Sequence, residues 1–178
     1  MSNTKRLAIG GLTTALVCMV MLLANFIPIG QYAIPATAGL IIYMMTFVSG
    51  RRWGIYSYVA SAIISFIICT DKETAMCFAL FFGYYPLLKS LFEKINVKVV
   101  GFILKLVVFN AAAFAVYYIC LYVFGITQNF NIFGLNLPLV MLLMFNLVFI
   151  AYDRMLTVYE KNYAKRITRF TERLFGKK

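Results

Sequence analysis

The sequence predicts an all-α integral membrane protein: a six-transmembrane-helix bundle with cytoplasmic N- and C-termini and a C-terminal amphipathic basic helix. Three observations predict it. Of the 178 residues, 63% are hydrophobic and 13% charged, against roughly 45–50% and about 25% in soluble domains. The apolar residues fall into six long runs separated by short turn signals. The 17 Lys and Arg, offset by only 6 Asp and Glu for a net charge of +11, gather in alternate gaps between those runs. A spanning helix takes about 20 mostly apolar residues, so residues 1–156 are read as the transmembrane domain and 157–178 as a tail.

The first run, Leu7 to Ile27, lacks a small-residue cleavage site after it and reads as a retained span rather than a signal peptide. Pro28, Gly30 and Pro35 punctuate the way to the second, Tyr32 to Val48, and Gly50-Arg51-Arg52 leads to the third, Trp53 to Cys69. Asp71-Lys72-Glu73 precedes the fourth, Thr74 to Leu88. The Lys89 to Lys98 stretch reads as a loop before the fifth, Val99 to Phe124, and the Asn-rich Gly125 to Asn136 precedes the sixth, Leu137 to Leu156. The runs are continuous rather than alternating, which selects helices over barrel strands.

Charge sets the orientation. Lys5 and Arg6, then Arg51 and Arg52, then Lys89, Lys94 and Lys98, and finally the tail from Lys161 to Lys178 all fall on one side, with Lys72 alone opposite. The positive-inside rule makes that side cytoplasmic. In the tail, Tyr159, Tyr163, Ile167, Phe170 and Leu174 recur at helical spacing among basic residues. That pattern suits a helix on an anionic leaflet or one docked on a partner subunit.

Several chemistries are excluded. The chain has no His, so His-based zinc sites, Ser-His-Asp triads and His relays are absent. No Gly-x-x-x-x-Gly-Lys-Ser/Thr loop is present to hold ATP. The acids read as loop, span-end or tail residues, and Lys105, two turns inside the fifth span, is expected to snorkel to the cytoplasmic face. With no coupling charge and no internal repeat, a self-sufficient carrier is disfavoured. No enzymatic activity, cofactor, metal or nucleic-acid partner is expected. Cys18, Cys69, Cys77 and Cys120 read as buried reduced thiols, with Cys69 and Cys77 able to pair only if their loop faces an oxidising side.

What remains is small and neutral polar residues. Ala8, Gly11 and Ala15 make a small-residue face on the first span, suited either to packing within the bundle or to a partner helix. Ser57, Ser61 and Ser65 at four-residue spacing suit close packing inside the bundle. Toward the outer side lie Asn25, Gln31 and Tyr32, and near mid-membrane Asn110 and Asn146, with Tyr117 two turns outward of Asn110. A buried amide must be hydrogen-bonded, so these two pair with each other, with backbone, or with a ligand. Together the six residues make a candidate outward-facing pocket for a small flat metabolite.

The stretch from Lys5 to Ile95 resembles the substrate-binding S component of energy-coupling factor transporters. The resemblance rests on Arg6-Leu7-Ala8, Gly11-Leu12-Thr13-Thr14-Ala15-Leu16, Ile27-Pro28 with Gly30, Ile34-Pro35 and Gly50-Arg51-Arg52-Trp53-Gly54, in that order. It implies capture of a vitamin or similar micronutrient from outside, with transport driven by a transmembrane coupling subunit and two ATPase subunits. It also implies that Ala8, Gly11 and Ala15 face the coupling subunit, that the Pro28–Pro35 loop is a lid, and that Asn110, Tyr117 and Asn146 form floor and wall. The competing readings are a structural subunit of a bacterial envelope or cell-shape complex and a small oligomeric carrier.

Overall fold

The computed structural model describes residues 2–27, 30, 32–93, 98–123, 125 and 138–175. Among them every regular element is helical and none is a strand. Helix α1 (Asn3–Leu23) opens with Ser2, whose Oγ accepts from the Lys5 N–H at 3.4 Å. Helices α2 (Ala33–Ser49) and α3 (Arg51–Ile68) are joined by Gly50 alone. Its φ of +92° is open to glycine and strained for other residues, so the expected Gly50-Arg51-Arg52 loop contracts to one residue and both arginines begin α3. Pro35, expected in a lid loop, lies in the first turn of α2.

Small side chains set how these three helices meet. Ser57, Ser61 and Ser65 are buried, as expected for close packing. A Cβ on Gly10 would stand 3.3 Å from Ser57 Oγ and 3.4 Å from Met45 Cε, and Ser57 Oγ donates to the Gly10 carbonyl at 3.3 Å. At the other end Cys69 Sγ lies 3.5 Å from the Met21 carbonyl. These contacts make α1 parallel to α3, while α2, with Met45 against Ser57 and Thr46 against Gly54, runs antiparallel to α3 and packs against both helices.

The fourth apolar run is not one helix. It comprises α4 (Lys72–Cys77), a π-helical turn (Phe78–Phe82) and α5 (Tyr85–Phe92). Asp71 caps α4, accepting from the Glu73 N–H at 3.0 Å and from Thr74 Oγ1 at 2.5 Å. The wide turn closes with Gly83 N–H donating to Phe78 O at 2.8 Å, and Tyr58 OH donates to the Ala79 carbonyl at 2.5 Å. Pro86, which has no N–H, sits in the first turn of α5 where a break costs least. The π turn also lets α2 approach closely: a Cβ on Gly39 would collide with the Phe82 carbonyl oxygen and lie 2.9 Å from Tyr152 OH.

Helices α6 (Lys98–Tyr122) and α7 (Pro138–Phe175) complete the described chain. The expected tail is helical, but it continues α7 without a break at residue 157. Asn3–Leu23 and Val99–Ile119 are each long and apolar enough to cross a membrane. Most of their side chains face outward; Leu12 is 73% exposed and Met19 66%. Outward apolar surface on this scale suits a lipid environment rather than water. Cys18, Cys69 and Cys77 are free thiols, so Cys69 and Cys77 are not bridged.

Candidate functional site

The π turn, α6 and α7 surround a cavity of about 190 Å³. Its walls are aromatic. Phe81 meets Phe109 edge-on with ring centroids 4.9 Å apart, and Phe109 stacks on Phe149 at 4.7 Å. Tyr117 and Val116 of α6 and Phe145 of α7 extend the lining, and Cys77 contributes a thiol. Glu73 is the one charged group among the described lining residues. Tyr32 OH donates to Glu73 Oε1 at 3.1 Å, while its ring meets Phe145 edge-on at 5.5 Å. Such a cavity accommodates a small flat apolar body with a single polar group turned toward Glu73 and Tyr32.

The structure gathers Tyr32 and Tyr117 on this cavity. Asn110 and Asn146 bond each other instead: each amide nitrogen donates to the other's oxygen, at 3.0 and 3.2 Å, and Asn110 also donates to the Leu106 carbonyl. This was one of the pairings open to them. The pair fastens α6 to α7 beside Phe109 and Phe145, both of which line the cavity. Asn25 joins loop to helix, donating to the Ile68 carbonyl and accepting from the Thr70 N–H at 2.9 Å. Gln31 lies outside the described residues. Among the lining residues not anticipated are Glu73, Cys77, Phe81, Phe82, Phe109 and Phe149. For Phe81 and Phe82 the signal is the aromatic run interrupted by Gly83 and Pro86, which marks an irregular segment.

On α1, Ala8, Gly11 and Ala15 are exposed, and a Cβ on Gly11 would meet nothing within 4 Å. The small-residue face is therefore on the outside of the chain, while the adjacent Gly10 does the internal packing.

A second polar constellation corrects two expectations. Lys89, expected in a loop, lies in α5 and is fully buried, and Lys105, expected to snorkel, is only 8% exposed. Lys105 Nζ lies 3.1 Å from both Asp153 oxygens and 3.6 Å from Glu93 Oε1. Lys89 bonds Glu93 one turn along α5, donates to Thr157 Oγ1 at 2.9 Å, and approaches Asp153 to 3.8 Å. Packing against α7 overrides snorkelling because Asp153 offers Lys105 a counter-charge within the bundle. Tyr85 connects this cluster to the cavity wall: its OH donates to Asp153 at 2.6 Å and its ring stacks on Phe81 at 5.0 Å. The groups sum to zero charge, two ammoniums against two carboxylates.

No protein-family model matches this chain, and no curated protein or solved structure matches it.

Proposed function

We propose that this chain is the membrane-embedded substrate-binding subunit of an energy-coupling factor type importer, without enzymatic activity of its own. It crosses a bacterial cytoplasmic membrane six times with both termini inside, captures a small flat micronutrient such as a vitamin from outside, and relies on a coupling subunit and two ATPase subunits for energy. The observation that carries the reading is the aromatic cavity between the π turn, α6 and α7, with Tyr32 and Glu73 at one side. The parallel course of α1 and α3 with α2 reversed supports alternating passes, and the absence of a P-loop in the sequence supports reliance on partner ATPases. The exposed Ala8-Gly11-Ala15 face supports close approach of a coupling helix, and the basic α7 tail supports contact with anionic lipid.

The test is mass spectrometry of small molecules retained by the purified protein. Ala113→Phe places a ring in the cavity from a half-buried position, and it is expected to abolish retention while the helical circular-dichroism signal persists. Retention of nothing by the parent protein, or equal retention by Ala113→Phe, overturns the reading. The exposed α1 face favours a second reading, a structural subunit of an envelope complex. In that case Gly11→Leu disrupts assembly of a chain that never retains a small molecule.

A further inference from the structure

We propose that the α2–α3 turn, together with Arg6 of α1, binds a phosphate group, and that its occupant is the headgroup phosphate of an anionic lipid. This site is separate from the cavity and depends only on the chain lying in a membrane.

The first turn of a helix presents backbone N–H groups without intrahelical partners, and with them a partial positive charge. In α3 that turn is Arg51-Arg52-Trp53. No side chain caps it, and the first bond back along the helix runs from Gly54 N–H to the Gly50 carbonyl at 3.2 Å. Gly50 leaves the approach open, since a Cβ there would meet nothing within 4 Å.

An uncapped helix start is common, but here each of the three helices α1, α2 and α3 carries a buried polar atom without a partner near this end of the bundle. Ser49 Oγ, Arg51 Nε and Arg6 Nε have no hydrogen-bond partner among the described residues, and Ser49 is only 5% exposed. Helical stepping brings them to one level. Gly10 faces Met45 and Ser57; Arg6 is one turn before Gly10, and Ser49 is one turn after Met45. Both therefore lie on the meeting faces of α1 and α2, in the layer where α3 begins. Buried polar groups in native proteins are nearly always paired, so three orphans in one layer point to a ligand.

Charge identifies the ligand as an anion. Residues 1–70 contain Lys5, Arg6, Arg51 and Arg52 and not one Asp or Glu. Outside that stretch Asp153 and Glu93 are engaged by lysines, and Glu160 accepts from Tyr43 OH at 2.8 Å. Guanidinium groups and free helix N–H groups together match the oxygens of a phosphate. Leu7, next to Arg6 on α1 and 65% exposed, offers an apolar side chain suited to an acyl chain.

The experiment uses the full chain in detergent and follows its melting temperature during titration with short-chain phosphatidylglycerol, short-chain phosphatidylcholine or inorganic phosphate. Phosphatidylglycerol is expected to stabilise the parent protein while phosphatidylcholine does not. Arg51→Gln and Arg6→Gln, on different helices, are each expected to weaken that response by about tenfold or more. Arg154→Gln, at an exposed position on α7, is expected to leave it unchanged. An equal effect of inorganic phosphate would transfer the site from lipid to a soluble phosphate and overturn the lipid assignment. Equal responses from Arg51→Gln, Arg6→Gln and Arg154→Gln would reduce the effect to general surface charge and overturn the site.

Discussion

Removing the charge of Asp153 tests the buried cluster most directly. Asp153→Asn keeps an oxygen for Tyr85 OH, now 2.6 Å away, and changes little volume. What it removes is the carboxylate held 3.1 Å from Lys105 Nζ and 3.8 Å from Lys89 Nζ. Lys89 is fully buried and cannot turn to water, so the variant leaves one net positive charge inside the bundle. Breaking a buried pair from one side costs about 3–5 kcal/mol, and the surviving Tyr85 bond places Asp153→Asn near the lower end. Lys105→Met leaves the opposite excess and is expected to cost a similar amount. The double variant restores neutrality, with Lys89 and Glu93 still paired, and is expected to cost less than the sum of the singles by at least about 1 kcal/mol. Glu93→Gln also takes a counter-charge from the buried Lys89 and is expected to destabilise, but by less than Asp153→Asn, because the Glu93 side chain is 37% exposed and solvent screens part of its contribution. Unfolding in mixed micelles followed by circular dichroism reads all four. Single variants whose costs add to within about 0.5 kcal/mol in the double would refute a coupled cluster.

Other substitutions probe the packing around the cavity. Gly39→Ala drives a methyl into the Phe82 backbone, which cannot rotate away, and is expected to destabilise by about 1–3 kcal/mol, whereas Gly11→Ala on the open face of α1 changes thermal stability by less than about 0.5 kcal/mol; equal melting temperatures would contradict the close α2–π contact. Asn110→Leu and Asn146→Leu each break the reciprocal amide pair and are expected to cost about 0.6–1.7 kcal/mol, with the double variant less than additive in the same unfolding assay. Full additivity would separate the two amides.

The helical runs were readable because composition and length report them directly: α1, α2, α3 and α6 begin or end within a few residues of the apolar runs. The serine stripe was readable for a similar reason, since four-residue spacing of small side chains on an apolar helix describes one face. The break in the fourth run was not. Gly83 and Pro86 announce irregularity, but a π turn depends on where the displaced carbonyl finds a donor, and for Ala79 that donor is Tyr58, 21 residues away.

The same distinction explains the two polar sites. Asn110 and Asn146 stand out because an amide in an apolar run needs a partner, yet nothing local says that the partner is the other amide, 36 residues on. Lys89 and Glu93 stand one helical turn apart, a pairing visible in the sequence, but they fall in a charged stretch that reads as a loop. Lys105 is the sharper case. Taken alone, a lysine two turns inside a span lowers its free energy by reaching the interface. Asp153, 48 residues away, makes the interior competitive, and the Tyr85 bond to the same carboxylate holds it in place. Which outcome wins depends on the packing of α6 against α7, so the cluster emerges only when both helices are placed.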